Sequence, residues 1–238
     1  METDIQPYEP MRPVAEGLYC VDGSWRRSPL PRRMTVFVLR SGSLAIHSVV
    51  RMRENDMRDL EALGDVRWIL VPNTFHCSEA GWYRSRYPES RLLVPARGRK
   101  ALEAKVGRID GTYEDDWPEE LAGDLDVACT AGFKLEEAVF LHRPSRTLIA
   151  TDLVFNQHGE DFPTLRRWVL TAAGAMNRFG PTRLFRYVFT TDRRALAESL
   201  RPVFDWDYDR VIMSHGRILE GGGSAAVRES FDWLHPVS

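Results

Sequence analysis

Residues 66–76 read VRWILVPNTFH, an apolar run that passes into a polar turn. A short run of aliphatic and aromatic residues closed by proline and asparagine is typical of a buried strand that ends in a loop. The following sequence is typical of a helix at 79–85, a strand at 91–95 and a helix at 98–105. This βαβα order predicts parallel strands with helices packed on a face of the sheet.

Before this stretch the sequence predicts a β meander. Apolar runs at 34–39 and 43–49 are joined by Arg-Ser-Gly at 40–42, which is typical of an antiparallel hairpin whose turn needs glycine. A helix over 56–62 follows, with Asn55 as its expected N-cap.

After residue 124 the pattern returns to strands and then alternates with helices. Strands are predicted at 126–130, 138–142, 147–150 and 210–213, and helices at 163–176, 192–203 and 224–234. Ser224 is the expected cap of the last helix. The 238 residues fit one α/β domain, 1–238, with a helical insertion at about 153–208.

Composition restricts the class of partner. A net charge of −2 and a pI near 6.3 argue against a nucleic-acid binder, because little excess positive charge is available for phosphates. A small molecule is the expected substrate or ligand, with a homodimer as an open alternative. Three scattered cysteines, an acidic N-terminus and no long apolar run predict a cytoplasmic protein that does not enter a membrane.

Three predicted strands each end near a residue that can bind a metal ion. His76 follows the first quoted strand, Asp152 follows 147–150, and His215 follows 210–213. Open α/β sheets place their chemistry at the carboxyl ends of strands, so these ends suggest one shared site. His and Asp are also common turn and cap residues, which is the alternative for each of them.

From about residue 14 to residue 216 the chain resembles the metallo-β-lactamase superfamily. Asp152 in Thr-Asp-Leu-Val-Phe is similar to the bridging aspartate of that family, and His215 in Ser-His-Gly is similar to its final histidine. The resemblance implies an α/β fold, an αββα sandwich of two mixed β-sheets flanked by helices. Hairpin and turn sequences at 42–48 and 144–148 are similar to an uncharacterised bacterial branch of the superfamily, for which no activity carries over.

The first motif of the family, His-x-His-x-Asp-His-x-Gly-Gly, is eroded here. It falls on residues 74–82, where only His76 and one glycine match, and Thr74 and Glu79 replace two histidines. The family's next histidine falls in 130–134, which contains none. Because each zinc ion of a two-metal hydrolase needs three or four ligands, the resemblance implies at most one metal.

The implied site is a single divalent ion, Zn or Fe, bound by His76, Asp152 and His215. Glu79 is predicted as a fourth ligand or as a general base, and Asp152 as a catalytic carboxylate as well as a ligand. His76 has the alternative role of a core or capping histidine, and Asp152 that of a helix cap.

Three further residues are candidates for supporting the site or contacting substrate. His47 lies near a strand end and is either a supporting residue or a satisfied sheet histidine. Asn73 either orients substrate or holds its own turn, and His158 either reaches the cleft or is solvated.

Two functions remain open from the sequence. The first is a mononuclear metal-dependent hydrolase acting on a small ester, thioester or phosphoester, in which the insertion forms a wall of the cleft. The second is a non-catalytic descendant that has lost its metal and serves as a binding or dimerisation module. Oxygen chemistry at one Fe²⁺ is a further hypothesis.

Overall fold

The computed structural model describes residues 5–24, 30–161, 167, 168, 171, 174 and 176–234. The chain divides into two compact units, 1–126 and 127–238, and each has its own hydrophobic core. No helix within the described ranges is both long enough and apolar enough to cross a membrane.

The first unit is built on a mixed seven-stranded sheet in which the strands follow chain order. The first four strands pair antiparallel, and the fourth to the seventh pair parallel. The strands are β1 (Arg12–Ala15), β2 (Leu18–Ser24), β3 (Pro31–Val38), β4 (Leu44–His47), β5 (Val66–Leu70), β6 (Arg91–Val94) and β7 (Gly111–Thr112). The predicted hairpin and the predicted parallel passage are therefore confirmed.

Helices cover one face of this sheet because their apolar residues recur at helical spacing. Met57 and Leu60, Ala80 and Tyr83, and Leu102 are buried in the same core as alternate residues of the strands. The helices are α1 (Glu54–Glu61), α2 (Ala80–Arg86), α3 (Arg99–Val106) and the short α4 (Glu119–Ala122).

The second unit contains a four-stranded mixed sheet in the order β13-β10-β9-β8 and a separate two-stranded ribbon of β11 and β12. Strands β9 and β10 form an antiparallel hairpin, whereas β10 and β13 are parallel neighbours. The bounds are β8 (Leu125–Cys129), β9 (Ala138–His142), β10 (Thr147–Ile149), β11 (Phe155–Gln157), β12 (Arg178–Gly180) and β13 (Arg210–Ile212).

The helices of the second unit bury Leu196, Leu200, Val203 and Val227 against this sheet. A π-helical turn at Phe185–Phe189 adds Phe185 to the same core. The helices are α5 (Arg193–Ser199), α6 (Arg201–Asp205) and α7 (Gly223–Ser230), with short 3₁₀ turns at Gly159–Asp161 and Asp232–Leu234.

Both predicted helix caps are wrong by two positions. Helix α1 begins at Glu54, so Asn55 lies inside it, and its side chain accepts a hydrogen bond from Arg58 (2.7 Å). Helix α7 begins at Gly223, and Gly222 rather than Ser224 occupies the cap position with a positive φ of 70°. There the backbone N–H of Gly222 and of Gly223 donates to Asp209, which fixes the start of the helix through a tertiary contact.

The predicted helix at 163–176 lies mostly outside the described residues. The rest of the predicted insertion, 153–208, contains the β11–β12 ribbon as well as helices.

Candidate metal centre

The structure brings two of the predicted ligands together within the second unit. Strands β10 and β13 are parallel and in register, with Ile149 opposite Ile212, so both strands end at the same edge of the sheet. Asp152 and His215 follow these ends. His215 Nε2 lies 3.0 Å from Asp152 Oδ1, and the two side chains are only 7% and 11% exposed.

The ring of His215 is held on several sides. Phe155 stacks on it with the ring centroids 5.0 Å apart and an interplanar angle of 18°. Gly216 has a φ of 111°, and a Cβ there would lie 2.2 Å from the carbonyl oxygen of Asn156. Only glycine allows this close approach of the two backbones. The N–H of Asn156 in turn donates to the carbonyl of His215 (3.2 Å).

Asp152 is fixed from behind by Glu137, which immediately precedes β9. The carboxylate of Glu137 accepts hydrogen bonds from the backbone N–H of Thr151 (2.6 Å) and of Asp152 (2.8 Å). Glu137 is fully buried, and its own N–H donates to Thr130 Oγ1 (2.9 Å). Burial, followed by the nearby charge of Asp152, raises the pKa of Glu137 above its usual range, whereas the two backbone hydrogen bonds lower it.

Glu137 is the residue at this edge that the sequence predictions missed. Its signal is a charged residue directly next to the apolar run 138–141, a position where an unpaired carboxylate would be costly to bury. The pattern indicates that such a residue needs partners. It does not indicate that the partners are the backbone amides of Thr151 and Asp152.

The remaining predicted ligand, His76, lies in the turn after β5 of the first unit. Asn73 Oδ1 accepts hydrogen bonds from the N–H of Phe75 and of His76, each at 2.9 Å, so the buried Asn73 side chain holds this turn. His76 Nδ1 lies 3.0 Å from Ser48 Oγ. Ser48 has a φ of 53°, which places its hydroxyl beside the turn. A substrate-orienting role of Asn73 stays a prediction.

His47 is the last residue of β4 and lies at the same sheet edge as the β5 turn. Its side chain is buried, and burial together with the charge of His76 lowers its pKa to about 3. The imidazole is therefore neutral at physiological pH. This state suits a supporting residue, which stays a prediction for His47.

Glu79 is engaged in contacts within the first unit. Its Oε2 lies 2.8 Å from Arg32 Nη2 in an ion pair whose two side chains are each 12% exposed. The same oxygen accepts a hydrogen bond from the N–H of Arg51 (2.9 Å). Because Oε2 is already used by the guanidinium of Arg32 and the N–H of Arg51, these contacts compete with both roles predicted for Glu79.

The other predicted residue, His158, is partly exposed just after β11. Its Nε2 lies 3.2 Å from Asn156 Oδ1, and Asn156 Nδ2 donates to the carbonyl of Arg217 (2.9 Å). His158 thus contacts the segment that pairs with the backbone on either side of Gly216. Its direct contact with substrate stays a prediction.

The region where the family has its next histidine is apolar in this chain. Phe133 is buried in the second unit, with its ring centroid 4.1 Å from that of Phe185 and 6.2 Å from that of Phe189. Packing of three aromatic rings replaces any ligand there.

The Asp152–His215 pair has the chemistry of a partial metal site. Imidazole nitrogen and carboxylate oxygen are donors that Zn²⁺ and Fe²⁺ both accept. Two such donors on one tetrahedral ion, with bonds of about 2.0–2.1 Å, are about 3.3 Å apart. The observed 3.0 Å needs only a small adjustment to reach that value. The two residues therefore fit a shared divalent ion.

No protein-family model and no curated protein matches the sequence, whereas many solved structures resemble the chain. A metallo-β-lactamase from Pontibacter korlensis is 11% identical, with a TM-score of 0.65 over 96% of this chain and 99% of that one. For VMB-1 the identity is 10% and the TM-score 0.67, over 96% and 97% of the two chains. The metallo-β-lactamase FIM-1 from Pseudomonas aeruginosa, in its mono-zinc form, is 10% identical, with a TM-score of 0.62 over 98% and 96%.

The agreement covers nearly the whole chain, although the identities are too low to carry an activity across. It confirms the fold class that the strand order and the motif remnants predicted. The chain has the metallo-β-lactamase fold, in a strongly divergent sequence.

Proposed function

We propose that this protein is a metal-dependent hydrolase that uses one divalent ion, Zn or Fe, bound by Asp152, His215 and His76. The observation that carries the proposal is the Asp152–His215 pair at the ends of two adjacent parallel strands. His76 is the proposed third ligand because it is the surviving histidine of the family's first motif and lies in the turn after a strand of its own unit.

When bound, such an ion supplies a Lewis acid and lowers the pKa of a water molecule. The chain's own residues prepare the position. Asp152 and His215 set two of the ligand directions, and Phe155 covers the imidazole face and keeps water from it. The proposed substrate is a small ester, thioester or phosphoester, with a carbonyl or phosphoryl oxygen that can be polarised.

The proposal is limited to one ion because other family ligand positions have changed. Thr74 and Glu79 stand where the first motif has histidines, and Glu79 is paired with Arg32. Phe133 lies in the segment that would hold a further histidine and is packed in an aromatic cluster. The mono-zinc form of FIM-1 is a structure of this fold that contains a single zinc.

Metal analysis of protein purified without added metal tests the proposal. We expect about one Zn or Fe per chain in the wild type and a large loss in His215→Ala, Asp152→Ala and His76→Ala. His142→Gln is the matched control, because His142 is a buried histidine of the same sheet at the opposite end of β10. Equal metal in the wild type and His215→Ala would reject the site.

Activity is tested next, on thioesters, phosphodiesters and lactones, with each ligand variant measured beside the wild type. Hydrolysis that is lost with the metal supports the proposal. A wild type that binds no transition metal would instead favour the binding or dimerisation module, and light scattering would then show whether the chain forms a homodimer. Oxygen consumption by an iron-loaded sample would favour the oxygen chemistry.

A further inference from the structure

We infer that Glu137 is a positioning residue for the metal centre, acting through the backbone of Asp152; this inference rests on the proposed function of Asp152 and His215. Glu137 is fully buried although it carries a carboxyl group. Both of its carboxylate oxygens are used, Oε1 by the N–H of Thr151 and Oε2 by the N–H of Asp152. A side chain at the start of the β9–β10 hairpin therefore fixes two consecutive peptide groups just beyond its end.

The contact of Glu137 with these two amides lies just beyond the end of a strand, where it can orient Asp152. Strand β10 ends at Ile149, and the amides of Thr151 and Asp152, just beyond that end, donate to Glu137. Two consecutive amides bound to one planar carboxylate leave little freedom to rotate the peptide between them. The direction of the Asp152 side chain toward His215 is thereby set by Glu137.

Glu137 is itself anchored, so it can impose this geometry. Its backbone N–H donates to Thr130 Oγ1 (2.9 Å), and its carbonyl accepts from the N–H of Thr130 (2.8 Å). Glu136, directly before it, has a φ of 51°, which ends the preceding turn and starts β9. A residue at the start of the β9–β10 hairpin thus orients the proposed metal ligand Asp152 beyond the end of the same hairpin.

Metal affinity of two Glu137 variants tests the inference. Gln keeps one acceptor but turns an N–H₂ donor toward a backbone N–H, whereas Asp keeps both carboxyl oxygens but is too short to reach both amides. We expect Glu137→Gln and Glu137→Asp to weaken Zn²⁺ binding about 10- to 100-fold, measured by competition with a chromophoric chelator. Glu136→Gln, the same chemical change one residue away, is expected to bind Zn²⁺ as the wild type does.

A double-mutant cycle separates positioning from a general structural role. In the Asp152→Ala background the Glu137→Gln change should have no further effect on Zn²⁺ affinity, because the group it orients is gone. Equal losses in both backgrounds, or wild-type affinity in Glu137→Gln, would overturn the inference. If neither Glu137 variant folds, the residue serves the fold rather than the site, and the inference is likewise rejected.

A metal-free measurement keeps this test distinct from the test of the proposed function. The ¹⁵N signal of His215 Nε2 reports its contact with Asp152 in protein stripped of metal. We expect Glu137→Gln to shift this signal and Glu136→Gln to leave it unchanged. A wild type that binds no metal would reject the proposed function, and an unshifted His215 signal would reject the role of Glu137.

Discussion

The two sheet edges that carry the predicted ligands are built differently. In the second unit, Asp152 and His215 contact each other, with Glu137 and Phe155 supporting them from behind. In the first unit, polar groups in and beside the β5 turn bind other parts of their own unit, as Glu79 does with Arg32. The predicted ligands thus contact each other where buried residues support them, whereas Glu79, at an eroded motif position, makes structural contacts instead.

The largest effect is expected at Phe133, a core residue in the segment where the family resemblance would place a further histidine. Phe133→His should lower the free energy of unfolding by about 3 kcal/mol, because an aromatic ring in contact with Phe185 is replaced by a smaller polar one. Phe133→Leu, the apolar control, should cost about 1 kcal/mol. Urea unfolding of the two variants and the wild type measures both losses. A stable Phe133→His protein that binds a second metal ion would break the comparison.

Glu79 tests whether the first edge is structural. Glu79→Ala leaves Arg32 nearly buried without this carboxylate, so we expect a loss of about 3 kcal/mol in the free energy of unfolding. Glu79→Gln keeps an acceptor for the N–H of Arg51 and should lose less. We expect the metal content of Glu79→Gln to equal that of the wild type. Loss of metal in that variant would instead support its predicted role as a ligand.

From the lowered pKa of His47 we expect the free energy of unfolding to decrease in acid. Its folded pKa is lowered to about 3 from 6.5, so the unfolded chain takes up a proton at a pH where the folded chain does not. The free energy of unfolding is therefore unaffected by the titration of His47 well above pH 6.5 and decreases as the pH falls from 6.5 toward 3. The loss amounts to about 2 kcal/mol by pH 5. Urea unfolding at both pH values checks this.

In His47→Gln the difference in stability between pH 7 and pH 5 should shrink. His158→Gln is the control, because His158 is partly exposed and no comparable burial acts on it. An unchanged pH dependence in His47→Gln would show that other groups cause the acid sensitivity.

The smallest expected effect concerns Asn73, which accepts two backbone hydrogen bonds in the β5 turn. Asn73→Ala should lower the free energy of unfolding by about 1–2 kcal/mol, and Asn73→Asp, which keeps the acceptor, by less. If the side chain only holds the turn, the Michaelis constant for any substrate found will be unchanged in Asn73→Asp. A raised Michaelis constant with normal stability would support the substrate-orienting role.

Strands and helices with strong apolar periodicity were predictable from the sequence. Strand β5, the hairpin of β3 and β4, and helix α3 lie within a residue or a few of their predicted positions. The helix caps were not, since neither Asn55 nor Ser224 occupies a cap. At the last helix the cap is Gly222, which is fixed by Asp209, a residue distant in sequence. Short elements such as β7 and the β11–β12 ribbon carry too few residues to show a period.

For the candidate centre, sequence reasoning found Asp152 and His215 because strand ends carry a recognisable polar signal after an apolar run. It missed Glu137, since the partners of a buried carboxylate are decided by which backbone amides lie beside it in the folded sheet. It also assigned Glu79 from the motif alignment alone, without the ion pair to Arg32.

The sequence by itself determined the longer strands and helices and the two strand-end residues Asp152 and His215, because local periodicity and turn chemistry encode these. The fold class came from the resemblance of its motif remnants to the superfamily. Only the tertiary structure decided which polar groups support them. The 3.0 Å contact of His215 with Asp152 and the two amide bonds of Glu137 join residues that lie 63 and 14–15 positions apart. Such contacts depend on strand register and burial, which are properties of the packed sheet rather than of any single segment.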